Sequence, residues 1–86
     1  MTLPHVQVMS RRECCLCEDA KEIVAAQAES GLCTWEVIDV DRDKALLVRY
    51  GMDVPVLLID GRQAFMHRVA ADELRSALLS GSVRTG

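Results

Sequence analysis

The stretch Val6-Gln7-Val8-Met9-Ser10-Arg11-Arg12-Glu13-Cys14-Cys15-Leu16-Cys17 decides the fold, since a strand signal gives way to a helix signal within it. Val6–Met9 is a short apolar run bounded by Pro4 and by the polar Ser10–Glu13, the mark of a first strand. From Cys15 to about Ser30 the apolar Leu16, Ala20, Ile23, Val24 and Ala28 recur at three- and four-residue steps, a helical period that Gly31 stops. Cys14 therefore falls at the helix N-cap, with Cys17 three residues later in the first turn. Residues three apart lie about 60° from one another around the axis, so these two sulfurs share a side. Cys15 and Cys17, about 200° apart, diverge. The pair to consider is Cys14 with Cys17.

Outward from that stretch the punctuation is regular. Trp35–Val40 is bulky, β-branched and bounded by charge, which predicts a second strand. Asp41 is a good N-cap for a short helix, Asp43 to Tyr50, closed by Gly51. Val54–Ile59 is almost wholly apolar, as a strand buried on both faces is. Asp60-Gly61 is a tight-hairpin dipeptide, and Gln63–His67 serves as the returning strand. Asp72 then caps a last helix with the apolar face Leu74, Ala77 and Leu78. The order β-α-β-α-β-β-α predicts an α/β domain. Its first β-α-β unit pairs in parallel through a right-handed crossover and its hairpin is antiparallel, giving a four-stranded mixed sheet flanked by three helices. That is the layout of a minimal thioredoxin fold. Residues 1–86 make one domain, with a loose tail over 80–86.

The bulk numbers narrow the function. Half of the 86 residues are hydrophobic, so a core forms without disulfides or a structural metal. Only Trp35, Tyr50 and Phe65 are aromatic, so that core is aliphatic. A net charge of −3 with both signs dispersed offers no basic stripe for nucleic acid and no polybasic membrane anchor. No apolar run approaches the roughly 20 residues that span a bilayer. Met1–Gln7 has no basic region leading into a long apolar stretch, so no secretory signal is visible. The expectation is a cytoplasmic monomer with no nucleic-acid and no membrane partner. Of the four cysteines, Cys14, Cys15 and Cys17 crowd together and Cys33 stands alone, unlike a disulfide-stapled framework. In a reducing compartment such thiols are catalytic, redox-sensing or metal-binding.

Position sets the reactivity of Cys14. The unpaired N–H groups and dipole of a helix N-terminus favour a thiolate there, and the thiolate is the nucleophile. Arg11 and Arg12 add positive charge, while Glu13, Glu18 and Asp19 oppose it. Cys14 is then the attacking sulfur, and Cys17 resolves the mixed disulfide. The competing use of this spacing is a zinc half-site completed by Cys33 and His67, although neither has a neighbouring ligand as zinc fingers and ribbons do. A second signal is Val54-Pro55. Proline cannot donate to a sheet ladder, so one that opens a central strand calls for explanation. A cis bond that turns the Val54 backbone outward is one account; a trans proline that simply starts the strand is the other.

Together these pieces resemble the glutaredoxin-like branch of the thioredoxin superfamily. The resemblance rests on Ser10–Cys17, on Val37-Ile38-Asp39-Val40-Asp41 and on Tyr50-Gly51-Met52-Asp53-Val54-Pro55-Val56-Leu57, and it covers about Val6 to Leu79. It implies a thiol–disulfide oxidoreductase with Cys14 as nucleophile, Cys17 as resolving thiol and Pro55 as a cis-proline. Arg11 sits where glutaredoxins usually carry a lysine that meets a glutathione carboxylate. Val54 would offer backbone hydrogen bonds to a bound peptide-like thiol. Asp72 corresponds to the aspartate that holds the glutathione amino end. Protein or low-molecular-weight disulfides are the implied substrates, with glutathione as a co-substrate and no tightly bound cofactor. Two departures stand out: Cys15-Leu16 replaces the usual Pro-Tyr, and Val69-Ala70 replaces a Gly-Gly pair that lets the backbone approach glutathione. A second functional class uses the same cysteines differently, as an iron–sulfur or metal carrier between two chains. A third keeps only the fold, for protein contacts.

The remaining candidates have simpler readings. Cys15 and Cys33 are expected to pack as small hydrophobes. His5 and His67, without an acid at a useful spacing, are expected at the surface, and Trp35 on one sheet face. Asp39, Asp41 and Asp43 alternate like metal ligands but lack the glycine and distal glutamate of a calcium loop, so they read as a strand end and a helix cap.

Overall fold

Strand β1 (His5–Ser10) lies inside a sheet ordered β2-β1-β3-β4, with β2 at Thr34–Asp39, β3 at Val56–Ile59 and β4 at Arg62–Met66. The helices are α1 (Cys15–Glu29), α2 (Lys44–Tyr50) and α3 (Ala71–Ser80), and a 3-10 turn, Val40–Arg42, precedes α2. The structure is a computed structural model that describes residues 3–80. Apart from Ser80, which ends α3, the tail expected at 80–86 lies outside them. β1 pairs parallel with β2 and antiparallel with β3, and β3 pairs antiparallel with β4. The mixed four-stranded α/β layout expected from the element order is the one observed.

Period-two alternation divides the core. Val6 and Val8 of β1 and Leu57 and Ile59 of β3 point to one face, where they pack with Ala20 and Val24 of α1 and Leu74 and Leu78 of α3. Met9, Val56 and Leu58 point to the other, against Tyr50 and the partly buried Leu46 and Leu47 of α2. All four residues of β3 are buried, as a strand covered on both faces requires.

Local chemistry explains most element ends. Cys14 caps α1 as expected. At the other end Gly31, at φ 80, carries a Schellman turn: its N–H donates to Ala28 O (2.9 Å), and Leu32 N–H donates to Gln27 O (3.1 Å). The hairpin residues Asp60 (φ 51) and Gly61 (φ 85) are both left-handed, as a type I′ turn demands.

Several expected boundaries move. Asp41 does not cap α2; Asp43 does, accepting from Ala45 N–H and Leu46 N–H (2.9 and 3.3 Å). Asp39 instead caps the 3-10 turn through Asp41 N–H (3.0 Å), which leaves the Asp41 carboxylate free for Arg11. Asp72 does not cap α3 either. Ala70 O already accepts Leu74 N–H (2.9 Å), so Asp72 lies in the first turn, where its Oδ1 accepts Glu73 N–H (3.0 Å). β3 begins at Val56, not Val54, because Val54–Pro55 forms the bend before it. β4 runs Arg62–Met66 and ends before His67, where the backbone turns to φ 69.

Candidate functional site

Register brings the site together. β1 and β2 run in parallel and end side by side, Ser10 opposite Asp39, while antiparallel β3 begins opposite Met9 at Val56. The loop to α1 and the bend before β3 therefore leave the same end of the sheet. Glu13 takes φ 55, a left-handed conformation that costs a residue with a Cβ about 1–2 kcal/mol. Immediately after it, Cys14 is extended (φ −114, ψ 107) and opens α1. Cys14 Sγ accepts the Cys17 N–H at 3.2 Å, so a sulfur occupies the place of a capping oxygen at the positive end of the helix.

Cys17 lies beneath it, fully buried, while Cys14 is half-buried. Both are free thiols. Burial pushes the Cys17 thiol above its ordinary value, and its hydrogen bond to the Cys14 sulfur pushes the same way. The Arg11 backbone and the Ser10 hydroxyl pull it down, less strongly than burial raises it. The stacked pair thus consists of one accessible sulfur on a helix N-terminus and one sheltered sulfur that holds its proton. Ser10 escaped sequence reasoning; its only signal was a polar residue closing an apolar strand.

The other expected residues are distributed around this pair. The Val54–Pro55 peptide bond is cis, and Pro55 is buried with its carbonyl accepting His67 N–H at 2.8 Å. Arg11 is engaged elsewhere: its Nε donates to Asp41 Oδ1 (3.0 Å) and its guanidinium reaches Gly51 O at 3.5 Å. It braces the 3-10 turn and the segment before Val54. Asp72 is exposed in the first turn of α3. Cys15, expected to pack inside, is exposed instead, because the 200° rotation that separates it from Cys17 turns it outward. Cys33 is buried just before β2, at the opposite end of the sheet. Among the described residues no group of three or more His, Cys, Asp or Glu side chains could hold a metal ion.

Two histidines have partners that sequence spacing did not suggest. His67 Nε2 lies 3.4 Å from Asp53 Oδ1, across the bend that carries Pro55. His5 contacts Thr34 Oγ1 (2.7 Å) and Glu36 Oε2 (2.9 Å), neighbours brought by strand register. An open groove of about 540 Å³ runs between α1 and the segment leading into α3, with Leu16 of the first turn of α1 at one end. Its α1 wall carries Leu16, Ala20 and Ile23, one stripe at helical spacing, with Asp19 and Glu22 beside it. The far wall holds His67, Arg68, Val69, Ala70 and Glu73.

A β-α-β unit, a hairpin, a closing helix and two stacked thiols at the first helix define the class: a thioredoxin-fold domain of the thiol-redox type. Solved structures share the fold. A mutant thioredoxin from Halobacterium salinarum is 26% identical, with a TM-score of 0.71 over 92% of this chain and 74% of that one. A structural-genomics target protein from X. campestris is 34% identical, with a TM-score of 0.73 over 87% of this chain and 96% of its own. A curated glutaredoxin-like protein of Dictyostelium discoideum is 34% identical over 76 residues, spanning 81% of this chain and 70% of that relative. The model of the glutaredoxin-like domain (DUF836) matches residues 5–79, and the chain belongs to that family.

Proposed function

We propose that this chain is a dithiol–disulfide oxidoreductase in which Cys14 attacks and Cys17 resolves. The observation that carries the reading is the asymmetry of the pair: Cys14 Sγ sits on the helix N-terminus and accepts Cys17 N–H, whereas Cys17 is buried and its thiol is raised by that burial. A Cys14 thiolate attacks one sulfur of a substrate disulfide, forming a mixed disulfide and expelling a thiolate that takes up a proton. Cys17 then gives up its proton and attacks the Cys14 sulfur. The second substrate thiolate leaves, and the Cys14–Cys17 disulfide remains. Two electrons have passed from the dithiol to the substrate. Holding Cys17 protonated until the mixed disulfide forms keeps it from competing as a nucleophile.

Val54, beside the cis-proline, supplies backbone groups for an extended substrate segment. Protein or low-molecular-weight disulfides are the substrates, and no tightly bound cofactor takes part. Return to the dithiol draws on glutathione or a thioredoxin reductase system, as suits a monomer in the reducing cytoplasm. Arg11 and Asp72 are the glutathione-facing residues by family position. Arg11 must leave Asp41 to serve that role, and Asp72 must share an oxygen that Glu73 N–H already uses.

The test is thiol counting under a disulfide substrate. The reduced chain should lose two thiols per turnover and regain them with reductant. Cys14→Ser should abolish exchange, and Cys17→Ser should accumulate a mixed disulfide at Cys14. Full activity in Cys14→Ser would refute the assignment.

A further inference from the structure

The groove between α1 and α3 bears on which disulfides the site takes, an inference that rests on the redox reading above. Its two walls carry apolar side chains, Leu16, Ala20 and Ile23 on one and Val69 and Ala70 on the other. Leu16 stands between Cys15 and Cys17 in the chain, so one end of the groove lies in the first turn of α1, the turn that carries Cys17, and the groove follows α1 for two turns. Seven residues of helix rise measure ~10 Å, the reach of about three extended residues. Its rim carries three carboxylates, Asp19, Glu22 and Glu73, against one guanidinium, Arg68. None of the three carboxylates has a hydrogen-bond or ion-pair partner among the described residues. His67 is turned towards Asp53, its Nε2 lying 3.4 Å from Asp53 Oδ1.

An anionic ligand meets the reverse of what it needs. The residue placed to receive a carboxylate, Arg11, is neutralised by Asp41 at 3.0 Å and tied to Gly51 O. The Val69-Ala70 side chains stand in the groove wall, where a Gly-Gly pair would leave room for close backbone approach. Charge and shape both favour a short, extended, basic segment laid along α1.

We infer that the α1–α3 groove selects polypeptide disulfides with lysine or arginine beside the reacting cysteine, and disfavours anionic disulfides such as oxidised glutathione. A cleft lined by one sign of charge raises association with opposite charge by a factor of ~10 or more at low salt. Salt weakens the preference, because exposed charges are screened over about 8 Å at physiological ionic strength. The exchange chemistry at Cys14 is unchanged; only the approach of the substrate is selected.

The experiment compares three synthetic peptides that share one disulfide and differ in the three residues after the cysteine: lysines, glutamines or glutamates. Oxidised glutathione and cystamine serve as small anionic and cationic probes. The lysine peptide should show kcat/KM about tenfold above the glutamine peptide and ~100-fold above the glutamate peptide at low salt, ratios that shrink at 0.5 M salt. In the Asp19→Asn, Glu22→Gln, Glu73→Gln triple variant the lysine-to-glutamine ratio should fall towards one. Comparing ratios between parent and variant cancels the intrinsic reactivity of each peptide disulfide. If cystamine shows the preference and the lysine peptide does not, the peptide assignment fails. Should the triple variant prove unfolded, the salt dependence of the parent's ratio decides alone. Exchange that ignores peptide charge, or that favours the glutamate peptide or oxidised glutathione, overturns this inference and leaves the redox reading standing. No exchange with any disulfide overturns both.

Discussion

The two ends of the sheet solve the same problem, turning the chain sharply, with different residue chemistry. At the end where β1 and β2 begin, the turns are built from residues suited to them: Gly31 at φ 80 after α1, and Asp60-Gly61 at φ 51 and 85 in the hairpin. At the thiol end, left-handed conformations fall on Glu13, which has no intrinsic reason to adopt one, and on His67, which tolerates it better than most side chains but less well than glycine. The hairpin end is relaxed and its strands are laced by His5, Gln7, Thr34 and Glu36. The thiol end stores backbone strain on the residue before Cys14 and on the residue whose N–H holds Pro55 O. Strain at a non-glycine residue persists only where surrounding structure imposes it, and such residues cluster where geometry serves function.

Each end also holds one buried thiol raised by its burial, Cys17 at the reactive end and Cys33 at the other. Substituting them is the strongest way to break the comparison. Cys17→Ala should lower multiple-turnover exchange by about 100-fold or more, since the mixed disulfide has no internal thiol to resolve it. Cys33→Ala should leave exchange within ~2-fold and cost about 1 kcal/mol of stability through the lost packing of one sulfur. Steady-state kinetics and urea midpoints of both variants check this. Equal losses of activity would mean that the two thiols are not functionally distinct.

Two glycines offer the next test, because the ends require glycine for different reasons. A Cβ on Gly61 meets nothing within 4 Å, so the objection there is handedness alone, and Gly61→Ala should cost about 1 kcal/mol. Gly51 lies in ordinary helical conformation (φ −54, ψ −32), yet a Cβ there would sit 2.5 Å from Leu47 O and 2.8 Å from Leu47 Cδ1. Gly51→Ala should cost about 2–3 kcal/mol, because backbone of α2 must shift to make room. It should also disturb the braced Arg11–Gly51 contact that leads into Val54–Pro55. Thermal melts of the two variants decide whether close approach outweighs handedness.

Glu13 allows the strain to be released. Glu13→Gly should raise stability by about 1 kcal/mol, as glycine adopts φ 55 without a Cβ penalty. The same change frees the segment that presents Cys14, and the rate of attack should drop several-fold. A gain in melting temperature with no loss of rate would show that the strain does not position the sulfur.

What could be read from the chain follows the same division. The β-α-β unit, the Asp60-Gly61 turn, the Cys14 cap and the α3 face at Leu74, Ala77 and Leu78 were legible because each is a local rule. Residue type or spacing within one element is enough to state it. Asp41 and Asp72 misled for a related reason. Aspartate is a good cap wherever a helix starts, but the exact start depends on which carbonyl first accepts: Asp39 opened an extra turn, and Ala70 O preceded Asp72. Ser10 under Cys17, Asp53 against His67 and the carboxylate rim of the groove depend on register and helix packing. No stretch of sequence contains them. Arg11 is the instructive mixed case, correctly placed before Cys14 yet committed to Asp41, thirty residues away.

The smallest effect expected concerns pH, and it again separates the ends. His5 and Gln7 donate hydrogen bonds to Glu36 and hold its carboxyl below the ordinary value of 4.5. A folded carboxyl that is the stronger acid means that the unfolded chain binds more protons as the pH falls. The contribution is therefore whole above 4.5 and fades as the pH drops through the folded value. Because Glu36 lies at the exposed surface, the loss should be slight, and salt should diminish it further. Cys17 and Cys33 behave in the opposite sense: raised above 9.0, they stabilise the fold fully below that value and less as the pH climbs past it. The alkaline decline should thus draw on both ends of the sheet, and the acid shoulder on the hairpin end alone. Melting temperatures between pH 3 and 6 should show a shoulder in the parent that Glu36→Gln lacks, whereas above pH 9 the two curves should run parallel. Superimposable acid branches would mean that the ladder of His5, Gln7 and Glu36 adds nothing to stability, and that the hairpin end is held by backbone pairing and turn chemistry alone.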